Sequence, residues 1–146
     1  MTAFAAAERA ALADLLDRVG PDAPTLCAGW ATRDLAAHVV LRERRPDAAA
    51  GILIRALAGH TGRVQATLAA TPWSALVAKV RRAPWWSPVS NPLTDGLANR
   101  TELFIHHEDV RRAQPDWAPR ELPADPAAAL RGQTRLAARR ALRRVP

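Results

Sequence analysis

FAAAERAALADLLDRVGP, residues 4–21, is the stretch that decides the fold. Its apolar residues fall at Phe4, Ala7, Ala11, Leu12, Leu15, Leu16 and Val19. That is the spacing of one helix face, and Gly20-Pro21 ends it, since neither residue continues a helix comfortably. Working outward, PDAPTLCAGWA reads as a loop. Thr32 is then a plausible N-cap for RDLAAHVVLRERR, a second helix that runs to Pro46. Helical spacing continues over 47–70, with expected breaks at Gly51 and Gly59, and WSALVAKVRR forms a shorter amphipathic piece. The proline-rich APWWSPVSNPL reads as an extended crossover. Thr94, followed by Asp95, caps a helix over about 95–113, because an acid in the first turn complements the helix dipole. After the loop QPDWAPRELPADP, a last helix runs through AAALRGQTRLAARRALRRV. No strand pattern and no internal repeat is apparent. The expectation is an all-α protein: an antiparallel four-helix bundle with one long crossover and an additional C-terminal helix.

The chain has 146 residues, which suits one domain, 1–146, with a real core. No apolar run approaches the roughly 18 to 20 residues of a spanning helix. The N-terminus lacks the basic region of a secretory signal, so the expected location is cytoplasmic. Cys27 is the single cysteine, which excludes an internal disulfide and a cysteine-rich zinc site. The net charge is +7, but every basic residue except Lys79 is arginine. In so alanine-rich a chain, that skew is read as composition bias before it is read as selection for a polyanion.

The helix over 95–113 carries TELFIHHEDV, residues 101–110. At about 100° per residue, Asn99, Glu102, His106, Asp109 and Ala113 fall within about 80° of one another. Leu103 and Val110 lie along one border of this stripe and Ile105 along the other. Phe104, Glu108 and Arg111 point the other way, and His107 sits at the edge. Glu102 and His106, four apart, can reach one cation together, although an ordinary intrahelical hydrogen bond would use the same spacing. His38 shares the apolar face of the second helix with Leu35 and Leu41, so it points into the core. His38, Glu102 and His106 together form a His2Glu set, which leaves a coordination position open for water or substrate, as catalytic zinc sites do.

GWATRDLAAH at 29–38 followed by ExxxHxxD at 102–109 resembles the N-terminal metal-binding domain of the mycothiol-dependent maleylpyruvate isomerases, within the DinB-like superfamily. LRERRPDAAAGI, PWWSPVSNPL and ELFIHHEDVRRAQPDWAPREL look closer still to an uncharacterised metal-binding subgroup of that family. The similarity spans about Ala7 to Arg144. It implies a DinB-like bundle whose metal ligands are His38, Glu102 and His106, with Asp109 orienting a ligand imidazole. His107 and His60 match no ligand position. The implied cofactor is one divalent ion, zinc first and nickel second, with mycothiol as cosubstrate. The implied activity is a thiol-dependent isomerase or transferase: the metal lowers the thiol pKa and polarises a carbonyl while the thiol adds to an electrophile. The implied partners are therefore a small thiol and an electrophile, and an oligomer is compatible with the pattern. Relatives usually continue into a smaller C-terminal portion, so a chain ending at ALRRVP is expected to be shortened.

Four further features have competing readings. Trp30, Trp85 and Trp86 serve as core or loop anchors more naturally than as pocket walls. Arg33 and Arg42 either attract an anion or are solvated surface charge, and Cys27 reads as inert packing. Arg131, Arg135, Arg139 and Arg143 recur every four residues on the last helix. This basic stripe would suit nucleic acid or an anionic membrane surface, but no DNA-binding motif accompanies it. A non-catalytic metal-binding or metal-sensing bundle is the stronger alternative to an enzyme.

Overall fold

A computed structural model describes residues 3–87 and 98–124, together with 127, 128, 130–132 and 135. Among the described residues the chain is all-α. Six α-helices are defined: α1 (Ala3–Val19), α2 (Thr32–Arg44), α3 (Pro46–Ala49), α4 (Ala58–Ala69), α5 (Trp73–Arg81) and α6 (Ala98–Arg112). Two 3-10 turns, Ala50–Ile52 and Arg55–Leu57, join α3 to α4. The residues described after Pro123 are helical as well. No helix among them is long and apolar enough to cross a membrane.

The apolar spacing of α1 becomes the floor of the core. Leu12, Leu15 and Leu16 pack with Leu35, Val39 and Val40 of α2, with Leu76, Val77 and Val80 of α5, and with Leu103 and Val110 of α6. Each such leucine or valine contributes about 1.5–3 kcal/mol when fully buried. A smaller cluster of Leu41, Ala48 and Val64 fastens α3 and α4 to α2. The close neighbours of α1 are α5 and α6, whereas α2 packs on α4 and α5. A buried charged pair joins α1 to α2 across this core. Arg9 of α1 is bonded by Glu43 of α2 and also donates to Val80 O at 2.8 Å.

Where the sequence placed a boundary from one residue, tertiary contacts moved some of them. Gly20 ends α1 as expected, with φ +80° and its N–H on Leu16 O. Thr32 is not the N-cap of α2. Its hydroxyl donates to Gly20 O at 2.6 Å, and the cap falls on Ala31, whose N–H donates to Asp34 Oδ2 at 3.0 Å. Gly51 lies in a 3-10 turn as a break should, but Gly59 sits inside α4, and the chain turns at Leu53 and Ile54 instead. Ile105 borders no buried stripe and is 45% exposed, because α6 has α1 as its close neighbour and its far side meets solvent. Thr94, Asp95, the side chain of Asn99 and the outer arginines Arg139 to Arg144 lie outside the described residues. Arg131 and Arg135 are exposed.

Candidate metal centre

The loop between α1 and α2 fixes one side of the site. Gly29, with φ +78°, lets the chain fold back so that Thr25 Oγ1 donates to Trp30 O at 2.9 Å. Leu26 N–H then donates to Asp109 O at 3.0 Å, which joins this loop to α6. Trp30 packs against the core with its ring centroid 5.2 Å from that of His38.

The side chains of α2 and α6 meet in antiparallel register. The His38 and His106 rings are edge to face at 5.2 Å. One turn further along α2 and one turn back along α6, Arg42 Nη1 lies 3.3 Å from Glu102 Oε2. The structure thus brings His38, Glu102 and His106 together, with donor atoms all within 4.8 Å of one another. His106 Nε2 is 3.3 Å from Glu102 Oε2. Ligands of a tetrahedral ion at about 2.1 Å are about 3.4 Å apart, so this pair already has the spacing of two ligands.

Each imidazole is held from behind. Asp109 Oδ2 lies 3.3 Å from His106 Nδ1, and Gln65 of α4 hydrogen-bonds the His38 ring. At His106 this leaves Nε2 as the ring nitrogen free for an ion. His106 Nε2 is buried and, although Glu102 Oε2 lies 3.3 Å away, the pair makes no well-formed hydrogen bond. Burial, helped by the neighbouring charges of His106 and Arg42, holds the His38 pKa down to about 4, so the ring is neutral near pH 7. Contact with His106, opposed by burial and aided by Arg42, holds Glu102 below the ordinary 4.5. His38 is thus in the protonation state a divalent ion requires of an imidazole ligand, and Glu102 in the state it requires of a carboxylate.

Asp109 also accepts a hydrogen bond from Cys27 Sγ at 3.2 Å. Cys27, His106 and Asp109 form a second group of donors within 4.8 Å, one that sequence spacing did not reveal because Cys27 comes from a distant loop. Burial and the Asp109 carboxylate push the Cys27 thiol up to about 11, so it is protonated.

Several other residues have different roles from those their helical positions suggested. Glu108 and His107 are both buried, and Glu108 does not point to solvent. His107 Nδ1 bonds Glu8 at 2.8 Å, while Arg111, Arg112 and Arg120 bind Glu108. Arg33 is committed to Ala69 O at 2.8 Å and stacks near Trp73. His60 pairs with Asp47 at the surface. Trp85 is 93% exposed and anchors no core. Comparison with protein-family models, with curated proteins and with solved structures finds no match.

Proposed function

We propose that this chain holds one divalent metal ion, zinc first, through His38, Glu102 and His106, and that it uses the remaining coordination position for thiol chemistry of the mycothiol-dependent maleylpyruvate isomerase type. The observation that carries the metal reading is the buried, unpartnered Nε2 of His106 beside two further donors. A buried polar atom left unsatisfied costs about 1–3 kcal/mol, and an ion held there would remove that cost. The activity and the DinB-like arrangement rest on the resemblance of GWATRDLAAH and ExxxHxxD. When bound, the ion would act as a Lewis acid that lowers the pKa of a thiol and polarises a carbonyl. His38 and His106 would supply imidazole donors, Asp109 and Gln65 would fix their rings, and Trp30 would limit water beside His38. The reacting thiol would be an external one, as the resemblance implies.

The Cys27–His106–Asp109 group favours a second reading, a metal-holding or metal-sensing protein in which a thiolate helps select the ion. The deciding experiment is elemental analysis of tag-free protein after equal dialysis, comparing wild type with His106→Ala, Glu102→Ala and Cys27→Ser. About one zinc per chain, lost in the first two variants and kept in the third, is the expected result. Retention in His106→Ala and Glu102→Ala would overturn the assignment, and loss confined to Cys27→Ser and His106→Ala would support the sensing alternative.

A further inference from the structure

Six of the nine large apolar side chains exposed among the described residues lie at one end of the bundle. The topology puts them there. Arg9, near the start of α1, holds both Glu43 at the end of α2 and Val80 O at the end of α5, so α1 begins where those two helices finish. Arg44 Nη2 donates to Arg82 O at 2.7 Å and ties the two C-terminal ends together. From α2 the chain passes through α3 into the 3-10 turns, which carry Ile52, Leu53, Ile54 and Leu57, all exposed, Leu53 to 91%. From α5 it passes to the exposed pair Trp85 and Trp86.

Both groups are held outward by anchored backbone. Gly51, just before Ile52, is buried against Thr61 and Leu57 O. Pro84 and Ser87, on either side of the tryptophans, are buried, and Ser87 N–H donates to Pro84 O at 3.1 Å. Scattered exposed leucines are ordinary on a protein surface, but a concentration of this kind at one end marks an interaction surface.

The charges at this end do not balance. Asp47 is held by Arg45 and His60, Glu43 by Arg9, and Glu102 by Arg42. Arg55, inside the apolar run, and Arg82, three residues before Trp85, are exposed and have no acid partner among the described residues. Isoleucine and leucine enter the acyl boundary of a bilayer, tryptophan settles at headgroup level with its N–H toward water, and arginine near the surface attracts anionic lipid. A second copy of the chain fits less well, because in a two-fold pair the same patch faces itself and sets Arg55 and Arg82 against their own counterparts.

We infer that this end of the bundle seats the chain on an anionic lipid surface, with Leu53, Ile54 and Trp85 entering the interface and Arg55 and Arg82 against the headgroup phosphates. The chain would lie on the bilayer without crossing it. The inference stands apart from the metal reading and does not depend on it.

The test is flotation of the full chain with vesicles of phosphatidylcholine alone and of phosphatidylcholine with an equal amount of phosphatidylglycerol, with sedimentation velocity on the lipid-free protein. Partitioning to the anionic vesicles is expected to be at least about tenfold stronger and to weaken as salt is raised. Leu53→Asp and Trp85→Ser should each lower it about tenfold, and Arg55→Glu by a similar factor. Leu26→Asp, at an exposed leucine in the loop at the opposite end, should leave it unchanged. No flotation with anionic vesicles, or equal flotation with both kinds, would overturn the inference. So would anionic binding that survives Leu53→Asp and Trp85→Ser together, or that Leu26→Asp weakens as much as they do. A lipid-free dimer abolished by Leu53→Asp, with no vesicle binding, would assign this end to a second copy instead.

Discussion

Asp109 holds two neighbours with one carboxylate oxygen. Its Oδ2 stands 3.3 Å from His106 Nδ1 and accepts the Cys27 thiol at 3.2 Å. Groups that orient a ligand imidazole typically account for 10- to 100-fold in metal affinity. Asp109→Asn, nearly isosteric, should therefore weaken zinc binding by about that factor in competition with a chromophoric chelator, while helical content stays unchanged. Burial, reinforced by the same carboxylate, keeps Cys27 protonated. A thiol at about 11 has far less thiolate at pH 8 than an ordinary cysteine. Iodoacetamide should accordingly alkylate Cys27 on the order of 100-fold more slowly than a free thiol. Asp109→Asn should accelerate that reaction, and mass spectrometry of the quenched time course reads both rates. The helical period of 101–110 made Glu102, His106 and Asp109 legible as one face. No such period could reveal Cys27, because its approach to Asp109 depends on a loop that folds back at Gly29.

Between α3 and α4, glycines that look alike in sequence behave differently. A Cβ on Gly51 would lie 2.0 Å from Thr61 Oγ1 and 2.6 Å from Leu57 O. Thr61 cannot easily retreat, because its hydroxyl donates to Ala48 O at 2.6 Å, and Leu57 O is backbone. Gly51→Ala should cost about 1–3 kcal/mol, read as a lower denaturant midpoint with an unchanged slope. Gly62, in α4, has open space where its Cβ would be. Gly62→Ala should be neutral or stabilise by up to about 1 kcal/mol, since alanine favours the helix. The contrast explains what the sequence could disclose about this region. Glycine spacing signalled a break somewhere in 47–70, but only the approach of Thr61 and Leu57 selects Gly51 over Gly59. The longer helices were legible because their apolar faces repeat over three or more turns. The cap of α2 was not, because Thr32 is drawn away by Gly20, a partner outside the helix.

Across the whole molecule, acids and bases distant in sequence join α1, α6 and the segment that follows it. Glu8 of α1 accepts His107 of α6 and both Nη atoms of Arg120, and Arg120 also reaches Glu108 at 2.8 Å. Helical position alone placed Glu108 on the outer face of α6, since nothing local announces Arg120 twelve residues on. Burial by itself would raise the Glu108 pKa, but hydrogen bonds from Arg111, Arg112 and Arg120 outweigh it and bring the group down to about 2. Burial likewise opposes ionisation of Glu8, and His107 and Arg120 overcome it, leaving Glu8 below the ordinary 4.5. Both carboxylates therefore bind protons more weakly in the folded chain than in the unfolded one. Their stabilisation is complete above about pH 4.5 and is lost as pH falls below that, for Glu108 down to about 2. With a surplus of seven positive charges already present, each protonation also adds to self-repulsion. Urea unfolding of the metal-free protein between pH 2 and 7 should show stability falling steeply below pH 4.5. Glu8→Gln leaves Arg120 and His107 facing a neutral amide in a buried position, a loss of about 3 kcal/mol at pH 7. Its deficit relative to wild type should shrink as pH falls, because acid removes from the wild type the same charge that the substitution has already removed. A deficit that stayed constant from pH 7 to pH 2 would mean that the network stabilises by packing rather than by charge.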